Sequence, residues 1–225
     1  LGFAAEAESV AREGRLVQDT KRWRAILLFG APGSGKGTQG RAIGSLPGFL
    51  HVSSGDIFRA LYKAGPLGKD VDRYTSAGRL VPDDLTVRIW NNHMDVLLKK
   101  GEFDPASQVI LCDGIPRTYE QARMLGEQID VVRIFHLKLA DEQEAVDRIR
   151  QRALKEGRVD DAHESVIRSR FESFRRQTSD TLRYYDDSLV TEVNASESPI
   201  HVLAEMAREI AAVVAEASVL PPARG

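Results

Sequence analysis

One cysteine, Cys112, in 225 residues is too few for an internal disulfide framework or a cysteine-rich zinc site within one chain, and it is compatible with a reducing compartment. No apolar run approaches the roughly 20 residues of a membrane helix. No tract is repeated or of low complexity. Neither sign of charge is in excess: 31 basic side chains stand against 33 acidic ones, a formal net charge of −2, so no overall field exists to hold a polyanion by counterion release. Nucleic acid and membrane are therefore not expected as partners, and any cationic site must be local. The five histidines, His51, His93, His136, His163 and His201, show no ligand spacing and read as structural or surface groups. Nor is there a Ser-His-Asp or Cys-His arrangement. What is present, 42% hydrophobic and 28% charged residues, is the composition of a globular protein with chain enough for a full core.

Five apolar runs alternate with helical patterns: Arg24 to Phe29, "FLHVSS" from Phe49, Gln108 to Gly114, Val131 to Ala140, and a weaker one from Leu189 to Ala195. That alternation predicts an α/β fold with a doubly wound five-stranded parallel sheet. Two stretches stand outside it. Residues 54–83 have no strand pattern and predict two short helices, around "AGPLGKD" and "SAGRLVP"; residues 152–163 are short, charged and poor in apolar side chains. Both are expected as flaps at strand ends, where ligands bind in such sheets. The core is then expected over 23–53, 84–151 and 164–217, between a leader at 1–22 and a tail at 218–225. The leader has no signal-peptide h-region, and Glu6, Glu8 and Glu13 argue against a transit peptide. It reads as an amphipathic or frayed segment packing through Val10, Leu16 and Val17.

The chemistry starts at "GAPGSGKGT", Gly30 to Thr38. Gly30, Gly35 and Lys36 satisfy the phosphate-loop pattern G-x-x-x-x-G-K-[ST], but Gly37 stands where a hydroxyl would reach magnesium, and Thr38 comes one place late. Glycines, including Gly33, let backbone N–H groups converge on an anion around Ser34 and Gly35. A helix starting near Lys36 adds its positive end, and the lysine adds a mobile charge. In "VILCDGIPRT" a second apolar run ends on Asp113, where a carboxylate can hold magnesium or its waters. Alone, an Asp-Gly pair after a strand is an ordinary turn. Beside the loop it is the candidate to replace the missing hydroxyl.

"GAPGSGKGT", "SSGDIFR", "GRLVP", "DGIPRT..QA" and "GRVDD" occur in one order and at the distances that mark nucleoside monophosphate kinases. From about Arg24 to Ala212 the chain resembles the adenylate kinases of that group, of the short-lid type. The resemblance implies a P-loop NTPase-type three-layer fold with a monophosphate-binding flap and a closing lid. It implies Mg2+-dependent phosphoryl transfer from ATP to AMP, with UMP/CMP kinase, a GTP-using AMP kinase and a non-catalytic nucleotide-binding protein as the alternatives. By motif, Gly33, Ser34, Gly35, Lys36, Gly37 and Thr38 would bind ATP, with Arg148 stacking on its base. Ser54, Gly55, Arg59, Leu80, Val81, Gly114, Arg117 and Gln121 would bind AMP, with Arg59 and Arg117 on its phosphate and the Gln121 amide on its base. Lys36, Arg117, Arg152, Arg158 and Arg170 would be catalytic, clamping the transferring group with planar guanidinium ions. Asp113 would hold the metal, through water or directly. Asp160 and Asp161 would pair with the lid arginines, and no structural zinc is expected there. A cytoplasmic monomer is expected, with an organelle left open. Four departures from the family pattern are visible: Ser54 in place of Thr, Ile115 in place of Phe, Glu197 in place of Gly, and one added residue between Ala162 and Arg170.

Overall fold

The computed structural model describes residues 22–61, 66–156 and 163–217. Five strands, β1 (Trp23–Gly30), β2 (Phe49–Ser53), β3 (Val109–Asp113), β4 (Ile129–Lys138) and β5 (Val190–Asn194), form one sheet in the order β2-β3-β1-β4-β5. Every pairing is parallel. The apolar runs lie where they do because a parallel sheet is covered on both faces, so its strands need no polar side. On β1, Ala25, Leu27 and Phe29 enter one core cluster, while Ile26 and Leu28 enter the other.

Helices fill both faces. The first cluster packs the sheet against α2 (Ser54–Leu61), α3 (Pro66–Thr75), α4 (Asp83–Lys100) and α5 (Tyr119–Leu125), through Ile57, Val71, Trp90, Met94 and Leu125. The second packs it against α1 (Lys36–Gly44) and α8 (Pro199–Ala217), through Ile43, Val202, Met206 and Ile210. Trp23 closes the start of β1 with its ring 6.0 Å from Trp90 and 5.5 Å from Phe103. A third, smaller cluster joins α6 (Glu142–Glu156) to α7 (Glu164–Leu182) through Ala145, Ile149, Ile167 and Phe171. This is the α/β P-loop NTPase fold with helices on both sides of the sheet. Among the described residues no helix is long and apolar enough to cross a membrane.

The strand order positions the site. From β1 the chain crosses to β2 at one edge; from β3 it crosses to β4 on the other side of β1. The connections thus part between the carboxyl ends of β1 and β3, the switch point at which such sheets leave a crevice. Leu28 of β1 is in register with Asp113 of β3, so the phosphate loop and the carboxylate meet there. One expected helix is missing. Residues 76–82, "SAGRLVP", form a turn and an extended segment instead. Gly78 takes φ +67°, the Gly78 and Arg79 N–H groups close back on Thr75 and Tyr74, and Pro82 is extended at ψ 144°. A left-handed glycine after the last turn and a proline soon after it terminate α3. Residues 1–21 of the leader expected over 1–22, residues 62–65 of the flap, residues 157–162 and the tail at 218–225 lie outside the described residues.

Candidate functional site

The phosphate loop is shaped by close approach. Gly33 has φ +84°, and a Cβ there would lie 2.6 Å from the Ala145 carbonyl oxygen of α6, so only glycine lets the loop lie on that helix. Lys36 opens α1 but turns back over the loop. Its Nζ donates to the carbonyls of Gly30 at 2.7 Å and Ala31 at 2.9 Å, and to Ser34 Oγ at 3.5 Å. Burial lowers its ammonium from 10.5 to about 8; Asp113 opposes this, and Arg117 and Arg152 reinforce it.

Asp113 ends β3 and is 8% exposed. Burial alone would raise its carboxyl, but His51, Lys36 and Arg117 outweigh that and hold it below its ordinary value. A Cβ on Gly37 would lie 3.4 Å from Asp113 Oδ2, so the glycine keeps any longer side chain away from the carboxylate. His51, from β2, places Nε2 3.5 Å from the same oxygen. Its ring fills the space that a side chain on Gly40 would occupy, and its Cβ and backbone fill that of one on Gly44. Among the described residues no group of three or more His, Cys, Asp or Glu could hold a metal ion. A metal at Asp113 would therefore draw on one ionised carboxylate and on water or phosphate oxygens, a donor set that suits magnesium.

A cavity of about 600 Å3 runs along this crevice, a volume typical of small-molecule sites. Gly33, Ser34, Gly35, Lys36, Gly37, Thr38, Gly55, Arg59, Leu80, Val81, Asp113, Gly114, Arg117, Gln121, Arg148, Arg152 and Arg170 all line it. Ser54 does not: it is 2% exposed and its hydroxyl donates to the Gly114 carbonyl at 2.7 Å, behind the wall. Arg158, Asp160 and Asp161 lie outside the described residues. The cations are close enough to act on one another. Arg117 is lowered by burial and by Arg170 and Arg59 while Asp113 opposes them; its Nε donates to the Gly114 carbonyl at 2.9 Å. Arg59 pairs with Asp56 one turn earlier on α2. Like charges gathered at one crevice make it a site for a polyanion.

Leu80 and Val81 line the cavity together with Gln121. The Gln121 Oε1 accepts the Arg117 N–H at 2.8 Å and its Nε2 donates to Asp83 Oδ1 at 2.8 Å. Arg148 donates to the Ala195 carbonyl at 2.8 Å and to Glu144, and Glu197 also lines the cavity. Three residues here escape sequence reasoning. Asp83 and His51 act through partners on other elements, which no local spacing reveals. Arg41 also lines the cavity, with Nη1 3.4 Å from a Cβ built on Gly37; its place five residues after Lys36, one turn into α1, is the signal that would have pointed to it.

Comparison with known proteins agrees with this geometry. The family model described as adenylate kinase matches residues 28–190. The chain is similar to an adenylate kinase of Kocuria rhizophila, 40% identical over 189 residues, or 79% of this chain and 93% of the relative. It is similar to an adenylate kinase of Leifsonia xyli subsp. xyli, 38% identical over 206 residues, 87% and 96% of the two chains. A third, from Corynebacterium diphtheriae, is 38% identical over 167 residues, 74% and 88%.

Proposed function

Because the chain belongs to the adenylate kinase family, a family of nucleotide phosphoryl-transfer enzymes, we propose that it carries out the reversible transfer of the terminal phosphoryl group of ATP to AMP, giving two ADP. The observation that carries this reading is the convergence of Lys36, Arg59, Arg117, Arg152 and Arg170 on one cavity with the buried carboxylate of Asp113. Two polyanions that repel one another need such a field to meet.

In this reading the loop amides and Lys36 hold the donor phosphates, and Arg148 lies along the donor base. Arg59 and Arg117 hold the acceptor phosphate, and Arg152 and Arg170, with Arg158, spread over the group in flight. The acceptor oxygen attacks the terminal phosphorus in line as the bond to the leaving ADP oxygen breaks, and no covalent enzyme intermediate forms. Asp113 would hold Mg2+ or its waters, and the metal would supply positive charge to offset that of the phosphates. Gly37 leaves room for those waters and for the second phosphate. Residues 54–83 act as the monophosphate flap and 152–163 as the lid, which exclude water so that ATP is not hydrolysed instead. Ser54, from behind the wall, ties the start of the flap to Gly114. We place the protein in the cytoplasm as a monomer.

The test is a coupled assay with a panel of donors and acceptors, with and without magnesium. The expected outcome is ADP from ATP plus AMP only when the metal is present, with loss of at least ~10² in turnover for Lys36→Met or Arg117→Ala. Undiminished AMP phosphorylation in either variant, or full activity without magnesium, refutes the assignment. GTP belongs in the panel because Glu197 puts a carboxylate at the donor end, an acceptor that a guanine edge can use.

A further inference from the structure

Resting on the assignment of Gln121 to the acceptor base, we infer that Asp83 sets the base specificity of that subsite by holding the Gln121 amide in one orientation. Gln121 is 2% exposed and lines the cavity, as Val81 and Thr86 do. Its two ends are tied to partners of opposite kind: the Arg117 backbone N–H can only donate, and the Asp83 carboxylate can only accept. A half-turn of the amide would set donor against donor at Arg117 and acceptor against acceptor at Asp83. Asp83 is held in turn, since its Oδ1 also accepts the Thr118 hydroxyl at 2.9 Å. Thr118 caps α5 by accepting the Gln121 N–H at 3.1 Å. The three residues thus close a ring between the start of α4 and the start of α5.

Helix capping accounts for part of this ring. A threonine three residues before a glutamine is the capping-box pattern, in which the amide reaches back to the backbone at the helix start. It does not account for Asp83, which stands on another helix and binds the end of the amide that no cap uses. After both bonds the amide keeps one N–H and one carbonyl lone pair, in fixed order. A 6-aminopurine matches that order, its amino group donating to Oε1 and its ring nitrogen accepting from Nε2. A 6-oxopurine offers carbonyl and ring N–H in the reverse order and meets Oε1 with its own oxygen. Buried polar groups left opposed in this way are what make hydrogen-bonded subsites selective. Asp83 is therefore a positioning residue, acting on the base through Gln121.

The test compares wild type with Asp83→Ala and Asp83→Asn, measuring the Kd of AMP and of IMP by calorimetry without donor, and KM and kcat for each. Asp83→Ala should weaken AMP about tenfold and shrink the AMP-over-IMP preference about tenfold, with the loss in KM far exceeding that in kcat. Asp83→Asn, whose amide oxygen can still take both donors, should keep most of the preference. If Asp83→Ala does not melt cooperatively, Asp83→Ser replaces it, keeping an oxygen at the start of α4 too short to reach Gln121. An unchanged AMP-over-IMP ratio, or equal loss of both ligands, overturns the inference, because a merely structural tie would not distinguish the bases. Failure of the acceptor reading itself is separate: it appears in the wild type, before any substitution, as AMP neither bound nor phosphorylated.

Discussion

Lys36 is bonded to the carbonyls of its own loop. Burial brings its ammonium to about 8, while the unfolded chain returns it to its ordinary value near 10.5, so unfolding takes up a proton between those values. This one group therefore makes folding more favourable as pH rises through that window. Nucleotide binding works in the opposite direction. A polyphosphate stabilises the ammonium, so above pH about 8 ATP binding should take up a proton and weaken as pH rises further. Calorimetry in buffers of different ionisation enthalpy should show the uptake, and Lys36→Arg, whose guanidinium stays charged, should remove it. Cys112 needs no such tuning. It is fully buried and its thiol is pushed up to about 12, which makes it a small packing group and not a nucleophile.

At the scale of elements, stability is concentrated in the strands. Leu111 on β3 is fully buried in the cluster between the sheet and α1 and α8. Leu111→Ala should cost about 3 kcal/mol in urea melts, whereas Leu154→Ala on α6, at a position 87% exposed, should change stability by less than about 0.5 kcal/mol. The same contrast explains what was legible beforehand. Strands covered on both faces are apolar, so β1 and β3 were plain as runs, while the edge strand β5, with Thr191 and Glu192 in it, was the weakest of the five, and the motif loops lay at their ends. The helix expected around "SAGRLVP" was not there, because Gly78 adopts a left-handed turn that apolar spacing does not report. Gln121 and Lys36 were legible as candidates, since a motif names a residue. Their hydrogen-bond partners were not: Asp83 meets Gln121, and His51 meets Asp113, only after separate elements have packed. Ser54 shows the same limit, its hydroxyl being directed at Gly114 by the junction of β2 and β3.

For the whole molecule, near-neutral overall charge coexists with a crevice where lysine and arginines act on one another. The repulsion among them is relieved when an anion arrives. Inorganic triphosphate at about 100 times its Kd should therefore raise the free energy of unfolding by about 2.7 kcal/mol, and Lys36→Met should abolish most of that gain. Added salt should weaken the effect, because the arginines at the rim are within reach of solvent ions.

Register across the sheet ties this behaviour to how the chain acquires it. Leu28 pairs with Asp113 and Ser53 pairs with the same residue from the other side, so β3 is the seam on which loop, carboxylate and flap are brought together from distant parts of the chain. Helices can form early from local contacts, but a parallel seam of this kind waits on loop closure. Nucleotide affinity should thus be a late acquisition during refolding, recovered in stopped-flow measurements only after the helical signal has returned.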